Sequence, residues 1–313
     1  MKKLDPLLVG IVVAAALAFV LPAQGSFADG FAVAVKLGIA LLFFLYGARL
    51  STQEALKGLT NWRLHALILA FTFAIYPVIG LLARPTTAFM SEDLYQGLLF
   101  MSLVPSTVQS SVALTGVARG NVSGAVVAAS VSSLVGVLAT PLLVMWLMGA
   151  GNGVSVDASV FGDIALQLLL PFILGQLAHN FVPRVGELAK SKATRIVDRG
   201  SIWMVVYSAF SRGVVCGVWS NVSAWEIVFL TVFSCVLVVA MLWLTRILPE
   251  ALHFPREDRV AIQMCGTQKS LATGLPMATV IFGGASLGVL IIPLMIYHMC
   301  QLVICSAYAS RIS

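Results

Sequence analysis

An all-α polytopic membrane protein of about ten transmembrane helices is the fold class this sequence predicts, and three observations predict it. Of 313 residues, 59% are hydrophobic and only 10% are charged, against roughly 25% charged in a water-soluble domain, which needs a wettable surface. One apolar run follows another with few polar breaks. The basic residues fall almost wholly in every second connection between those runs. The net charge of +6 is therefore read as a topology signal, since no patterned basic stripe of the kind that binds nucleic acid accompanies it.

Met1-Lys2-Lys3, an apolar run and then Pro22-Ala23-Gln24-Gly25-Ser26 imitate a secretory signal peptide, but the many later runs favour an uncleaved first span. Apolar runs of roughly 17–25 residues place the spans at 6–22, 31–50, 63–83, 95–117, 122–148, 160–182, 200–220, 224–245, 260–282 and 286–308. One set of connections holds Lys2, Lys3, Arg49, Lys57, Arg63, Arg119, Arg184, Lys190, Lys192, Arg195, Arg199, Arg246, Arg256, Arg259 and Arg311, while the opposite set holds only Arg84. The positive-inside rule then expects a multi-pass protein of the cell membrane with both termini in the cytoplasm. Lys36, Arg212 and Lys269 remain inside spans. Lys36 is close enough to a span end to snorkel, whereas Arg212 is deeper and is read evenly as cavity-lining or structural. The five cysteines lie in apolar segments without a CxxC pair and are read as buried small hydrophobes.

Ten spans divide into two five-helix repeats, 1–150 and 151–313. An odd number per repeat makes the second enter the membrane from the opposite side, so the repeats are inverted. Gln109-Ser110-Ser111-Val112-Ala113 in the fourth span resembles Gln268-Lys269-Ser270-Leu271-Ala272 in the ninth, at equivalent positions. Both segments are poor continuous helices. Pro105 precedes the polar run Ser106 to Ser111, and Gly266 and Gly274-Leu275-Pro276 bracket Thr267 to Ser270. Proline removes a backbone donor and glycine lets the chain unwind. Backbone groups freed at membrane depth persist only where they line a cavity or the protein interior, as in transporters; ordinary proline kinks are the bland alternative. Candidate binding residues are Gln109, Ser110, Ser111, Ser133, Gln268, Lys269 and Ser270. Thr107, Ser130, Ser132, Arg212 and His298 are possible cavity residues, although the serines suit helix packing equally well.

Gly120-Asn121 through Ser130-Val131-Ser132-Ser133 to Thr140-Pro141, with PSTVQSSVALT and GTQKSLATGLPMA, resembles the bile acid:sodium symporter family. The resemblance is closest to an outlying branch of bacterial sodium-dependent transporters that also has a vertebrate member linked to calcium handling. It covers nearly the whole chain. It implies a four-helix panel moving against a six-helix core, with the broken fourth and ninth helices crossing at the midplane. It also implies Ser110, Ser111 and Ser133 near one sodium site and Gln268 at a second. The chain departs from the family where an acidic ligand of both sites falls on Met264 and a glutamine falls near Thr72. Lys269 stands where asparagine is usual. It is open to four readings: a replacement for sodium that donates to unwound carbonyls and to Ser110 or Gln109, a proton-coupling group, a partner of an anionic substrate, or a structural lysine.

The expectation is a secondary active transporter of a small solute, an organic anion because cations outnumber deep carboxylates, with Na+ as a possible coupling ion and no cofactor. The alternatives are a proton-coupled carrier using Lys269 and a membrane regulator of calcium influx that carries nothing. An enzyme is not expected, because there is no HExxH and no pair of acids at membrane depth.

Overall fold

A computed structural model describes residues 6–49, 61–149, 162, 165–189, 191–283 and 286–312. Among them there is helix and no strand, as expected where the backbone must satisfy its hydrogen bonds without water. Five helical stretches, Gly25–Arg49, Trp62–Ala88, Val122–Met148, Ala224–Ala251 and Leu287–Arg311, are each long and apolar enough to cross a membrane. Leu82, Trp146, Val236 and Val303 are between 63% and 74% exposed, a surface that water would not tolerate in bulk and that lipid accepts.

The chain forms two compact units. The first takes residues 1–52, 153–221 and 275–289 and contains α1 (Pro6–Val20), α2 (Gly25–Arg49), α8 (Leu170–Phe181), α9 (Pro183–Ala189) and α10 (Lys192–Val215). Glycine brings α2 against α8. A Cβ added at Gly47 would lie 2.0 Å from the Phe172 carbonyl oxygen, and one at Gly175 2.0 Å from that of Phe44, so each backbone occupies the space a side chain would need. At the end of α2, Arg49 donates to Asp198 at 2.8 Å and to the Ala189 carbonyl at 2.7 Å. Asp198 is 5% exposed, and burial pushes its carboxyl above the usual range against the opposing pull of Arg49.

The second unit takes residues 53–152, 222–274 and 290–313. Its helices are α3 (Trp62–Ala70), a π turn (Phe71–Ile75), α4 (Tyr76–Leu82), α5 (Glu92–Leu103), α6 (Gln109–Val117), α7 (Val122–Met148), α11 (Ala224–Ala251), α12 (Arg256–Thr267), the start of α13 (Leu271–Ile281) and α15 (Ile292–Arg311), which follows the short α14 (Leu287–Leu290). Local chemistry sets the helix starts. Ser223 and Glu226 form a capping box on α11, and Glu226 also accepts from the Ser91 amide at 2.6 Å. Asn121 caps α7, and Asp258 accepts from Asn121 at 2.7 Å and from Asn61 at 3.0 Å, tying two helix starts to a third.

The compact units do not follow the boundary between the halves 1–150 and 151–313, because each unit draws segments from both. Lys36 is exposed. Cys265, Cys300 and Cys305 are buried as expected of small hydrophobes, but Cys216 is exposed and Cys235 only partly covered: Cys216 sits at the very end of α10, where neighbouring helices no longer cover it.

Candidate functional site

Both expected interruptions are present. Helix α5 stops at Leu103, with Val104 extended at φ −77°, ψ 155°, the conformation a following proline imposes, and helix resumes at Gln109. Helix α12 stops at Thr267, Gln268 is extended at φ −97°, ψ 142°, and α13 starts at Leu271. The ninth-span break is thus only Gln268 to Ser270, and helix runs unbroken through Pro276. The two gaps touch, since the Ser270 amide donates to the Pro105 carbonyl at 2.8 Å. Gly136 of α7 makes room for the Pro105 ring, which a Cβ there would meet at 2.7 Å.

Each freed group can be followed to its partner, as a buried backbone requires. The Ser106 amide, which a continued α5 would give to Ser102, goes to the Ser132 hydroxyl at 3.1 Å. Thr140 donates to the Leu103 carbonyl at 2.8 Å. Across the junction, Ser106 donates to the Cys265 carbonyl at 2.5 Å and Ser111 to that of Met264 at 3.3 Å. The Thr267 carbonyl and the phenols of Tyr76 and Tyr297 form a triangle, with the carbonyl 2.5 Å from Tyr76 and 2.9 Å from Tyr297 and the two phenols also in contact, so that two protons serve three contacts. Gln301 acts on Lys269 as a neighbouring strand would, accepting from its amide and donating to its carbonyl, both at 2.8 Å.

Lys269 is fully buried. Its ammonium donates to the carbonyls of Thr72 at 2.9 Å, Ser102 at 2.7 Å and Val104 at 2.9 Å, and lies 4.2 Å from the centre of the Tyr76 ring. No described carboxylate pairs with it. The Thr72 carbonyl is free for a local reason. In the π turn the Tyr76 amide reaches back five residues to Phe71, so the amide that would serve Thr72 belongs to Pro77, which has none.

The remaining candidates divide. Ser110 donates to the Gln268 side-chain carbonyl at 2.5 Å, and the Gln268 amide nitrogen, in a residue 1% exposed, has no partner among the described residues. Thr107, Ser111 and Ser132 are buried beside the break. Ser270 bonds Thr273 at 2.6 Å. His298 touches Gln301 at 2.8 Å. Gln109 is exposed and does not reach Lys269, nor does Ser110; the ammonium takes backbone oxygens instead. Ser130 bonds its own helix at the Val126 carbonyl, as a packing serine does, and Ser133 is half-buried. Arg212 is exposed and lies in the first unit. Sequence reading missed Tyr76, Thr140 and Tyr297 and gave Gln301 no role. The spacing of Tyr297 and Gln301 by four residues, which puts both on one face of α15, was the available signal.

Among the described residues no group of three His, Cys, Asp or Glu side chains is placed to hold a metal. The proposed sodium ligands Ser110, Ser111, Ser133 and Gln268 include no carboxylate, and the position of the expected acid is Met264, whose side chain is apolar and buried.

The model of the SBF-like CPA transporter family matches residues 5–313. The chain is 44% identical to the uncharacterized protein PA2026 of Pseudomonas aeruginosa over 98% of this chain and 92% of that one. It is 39% identical to the Escherichia coli K12 protein named "Putative symporter YfeH" over 99% and 93%, and 28% identical to Sodium/bile acid cotransporter 7 of Mus musculus over 88% and 82%. Matched over nearly its whole length, the chain belongs to the SBF-like CPA transporter family.

Proposed function

We propose that this protein is a secondary active transporter of a small organic anion, working by alternating access about the junction of Val104–Val108 with Gln268–Ser270. The observation that carries this reading is the junction itself. Two interrupted helices restart there, α6 and α13, and the first amides of a helix carry partial positive charge suited to an anion. The unpaired Gln268 nitrogen adds a donor, Lys269 adds a positive charge, and no described carboxylate is bonded there to repel an anion.

Further support comes from the compact units. The first holds α1, α2, α8 and α10 and the second the remaining long helices, which suits a four-helix panel working against a six-helix core built from inverted repeats across ten spans. The charge pattern of the connections supports a cell-membrane location with both termini in the cytoplasm. Names among the relatives include a symporter and a sodium/bile acid cotransporter, none an enzyme.

Uptake of a panel of organic anions into proteoliposomes tests the reading. Saturable uptake of one anion, lost in Gln268→Leu while the variant keeps its fold, is the expected result. A panel without saturable uptake or thermal stabilisation by any anion would overturn it.

A further inference from the structure

We infer that the Lys269 ammonium is a built-in cation that permanently satisfies the freed carbonyls of Thr72, Ser102 and Val104, so that the junction needs no alkali metal to hold them. The stoichiometry is the first argument. An ammonium has three protons, and three carbonyls, Thr72, Ser102 and Val104, take one each at 2.7–2.9 Å. A neutral amine would supply two protons and leave its lone pair facing an oxygen. All three oxygens are free for separate reasons: the π turn ahead of Pro77, the diversion of the Ser106 amide to Ser132, and the extended Val104 before Pro105.

The second argument is that several other carbonyls of the junction already have donors. Hydroxyls cap the carbonyls of Cys265 and Thr267, and Gln301 caps that of Lys269. A hard cation with oxygen ligands would have to displace these donors, and with Met264 buried among them no carboxylate stands ready to offset its charge. The Tyr76 ring face completes the surroundings of the ammonium. A cation on a covalent tether also cannot leave on either side of the membrane. This inference rests on the transporter reading only for its consequence: the junction does not deliver sodium with each cycle.

The test is thermal unfolding of the full chain in detergent at fixed ionic strength. The wild type is expected to melt at the same temperature in sodium, potassium and choline chloride. Lys269→Ala is expected to melt several degrees lower and to regain at least half of the loss, saturably, in methylammonium or propylammonium chloride. Tetramethylammonium, which has no N–H to donate, should restore nothing. Saturable stabilisation of the wild type by sodium overturns the inference, as does an alanine variant that melts with the wild type or one that tetramethylammonium rescues equally. Should the alanine variant fail to fold without a primary ammonium salt, folding regained when propylammonium chloride is present supports the inference; failure in both, together with a sodium-dependent wild type, sinks it. No transport is measured, so absent anion uptake would remove the proposed function and leave the built-in cation standing, whereas a sodium-dependent melting point would do the reverse.

Discussion

Gln301→Leu removes the side chain that holds Lys269 by both of its backbone groups and also bonds His298, and its cost is worked from the two backbone bonds. The amide of Lys269 loses its acceptor and the carbonyl its donor, each at 2.8 Å and each buried. Polar contacts between membrane helices average about 0.6 kcal/mol by double-mutant cycle, which puts the floor near 1 kcal/mol for the pair. Leaving a buried donor or acceptor without a partner costs about 1–3 kcal/mol, which puts the ceiling near 6 kcal/mol. Leucine fills a similar volume, so little cavity is added, and a loss of about 2–4 kcal/mol is expected between those bounds. Reversible unfolding in mixed micelles measures it. Gln301→Glu keeps the acceptor, and when protonated its hydroxyl can donate to the Lys269 carbonyl in place of the amide, so it should lose less than Gln301→Leu at acidic pH and more as the pH rises and ionisation sets a bare oxygen against that carbonyl. Gln301→Leu unfolding with the wild type would refute the premise that side chains, and not rigid helix packing alone, hold the unwound residue in place.

Two further outcomes test the packing. Gly47→Ala would press a methyl into the Phe172 carbonyl, which backbone cannot evade; a loss of at least about 2 kcal/mol or of folded yield is expected, while Gly30→Ala in the same helix meets nothing within 4 Å and should be neutral or up to about 1 kcal/mol stabilising. Arg49→Met removes the hydrogen-bonded counter-charge of the buried Asp198 and leaves only the weaker pull of Arg199, at a cost near the lower end of the 3–5 kcal/mol range, about 3 kcal/mol, because Arg49 is itself partly exposed. Burial already raises this carboxyl in the folded protein. The protonated form is therefore the better folded partner, and the variant should regain stability on acidification and lose it as the pH rises through the raised value. A pH-independent melting point would contradict this.

Much of the protein was legible before any coordinates. Apolar runs with few charges decide a bilayer fold, because the solvent acts on every residue alike and composition alone reports it. Pro105 located the fourth-span interruption, since proline forces its effect on the immediate neighbour whatever the tertiary context, and Gly266 with the polar run Thr267 to Ser270 located the ninth, although Pro276 lies within continuous helix. The repeat of Gln-Ser-Ser with Gln-Lys-Ser paired the two segments that the structure brings together. The fate of the freed groups was not legible. Nothing local to Thr72 announces that its carbonyl awaits a lysine 197 residues away, nor that Tyr76 and Tyr297 converge on Thr267; that Lys269 donates to freed carbonyls was one of the readings, but not which carbonyls, nor that Ser110 and Gln109 take no part. A sequence declares which backbone bonds a helix must give up, because that is a property of neighbouring residues; which donors replace them depends on the directions in which distant helices present their side chains, and only packing in three dimensions sets those directions.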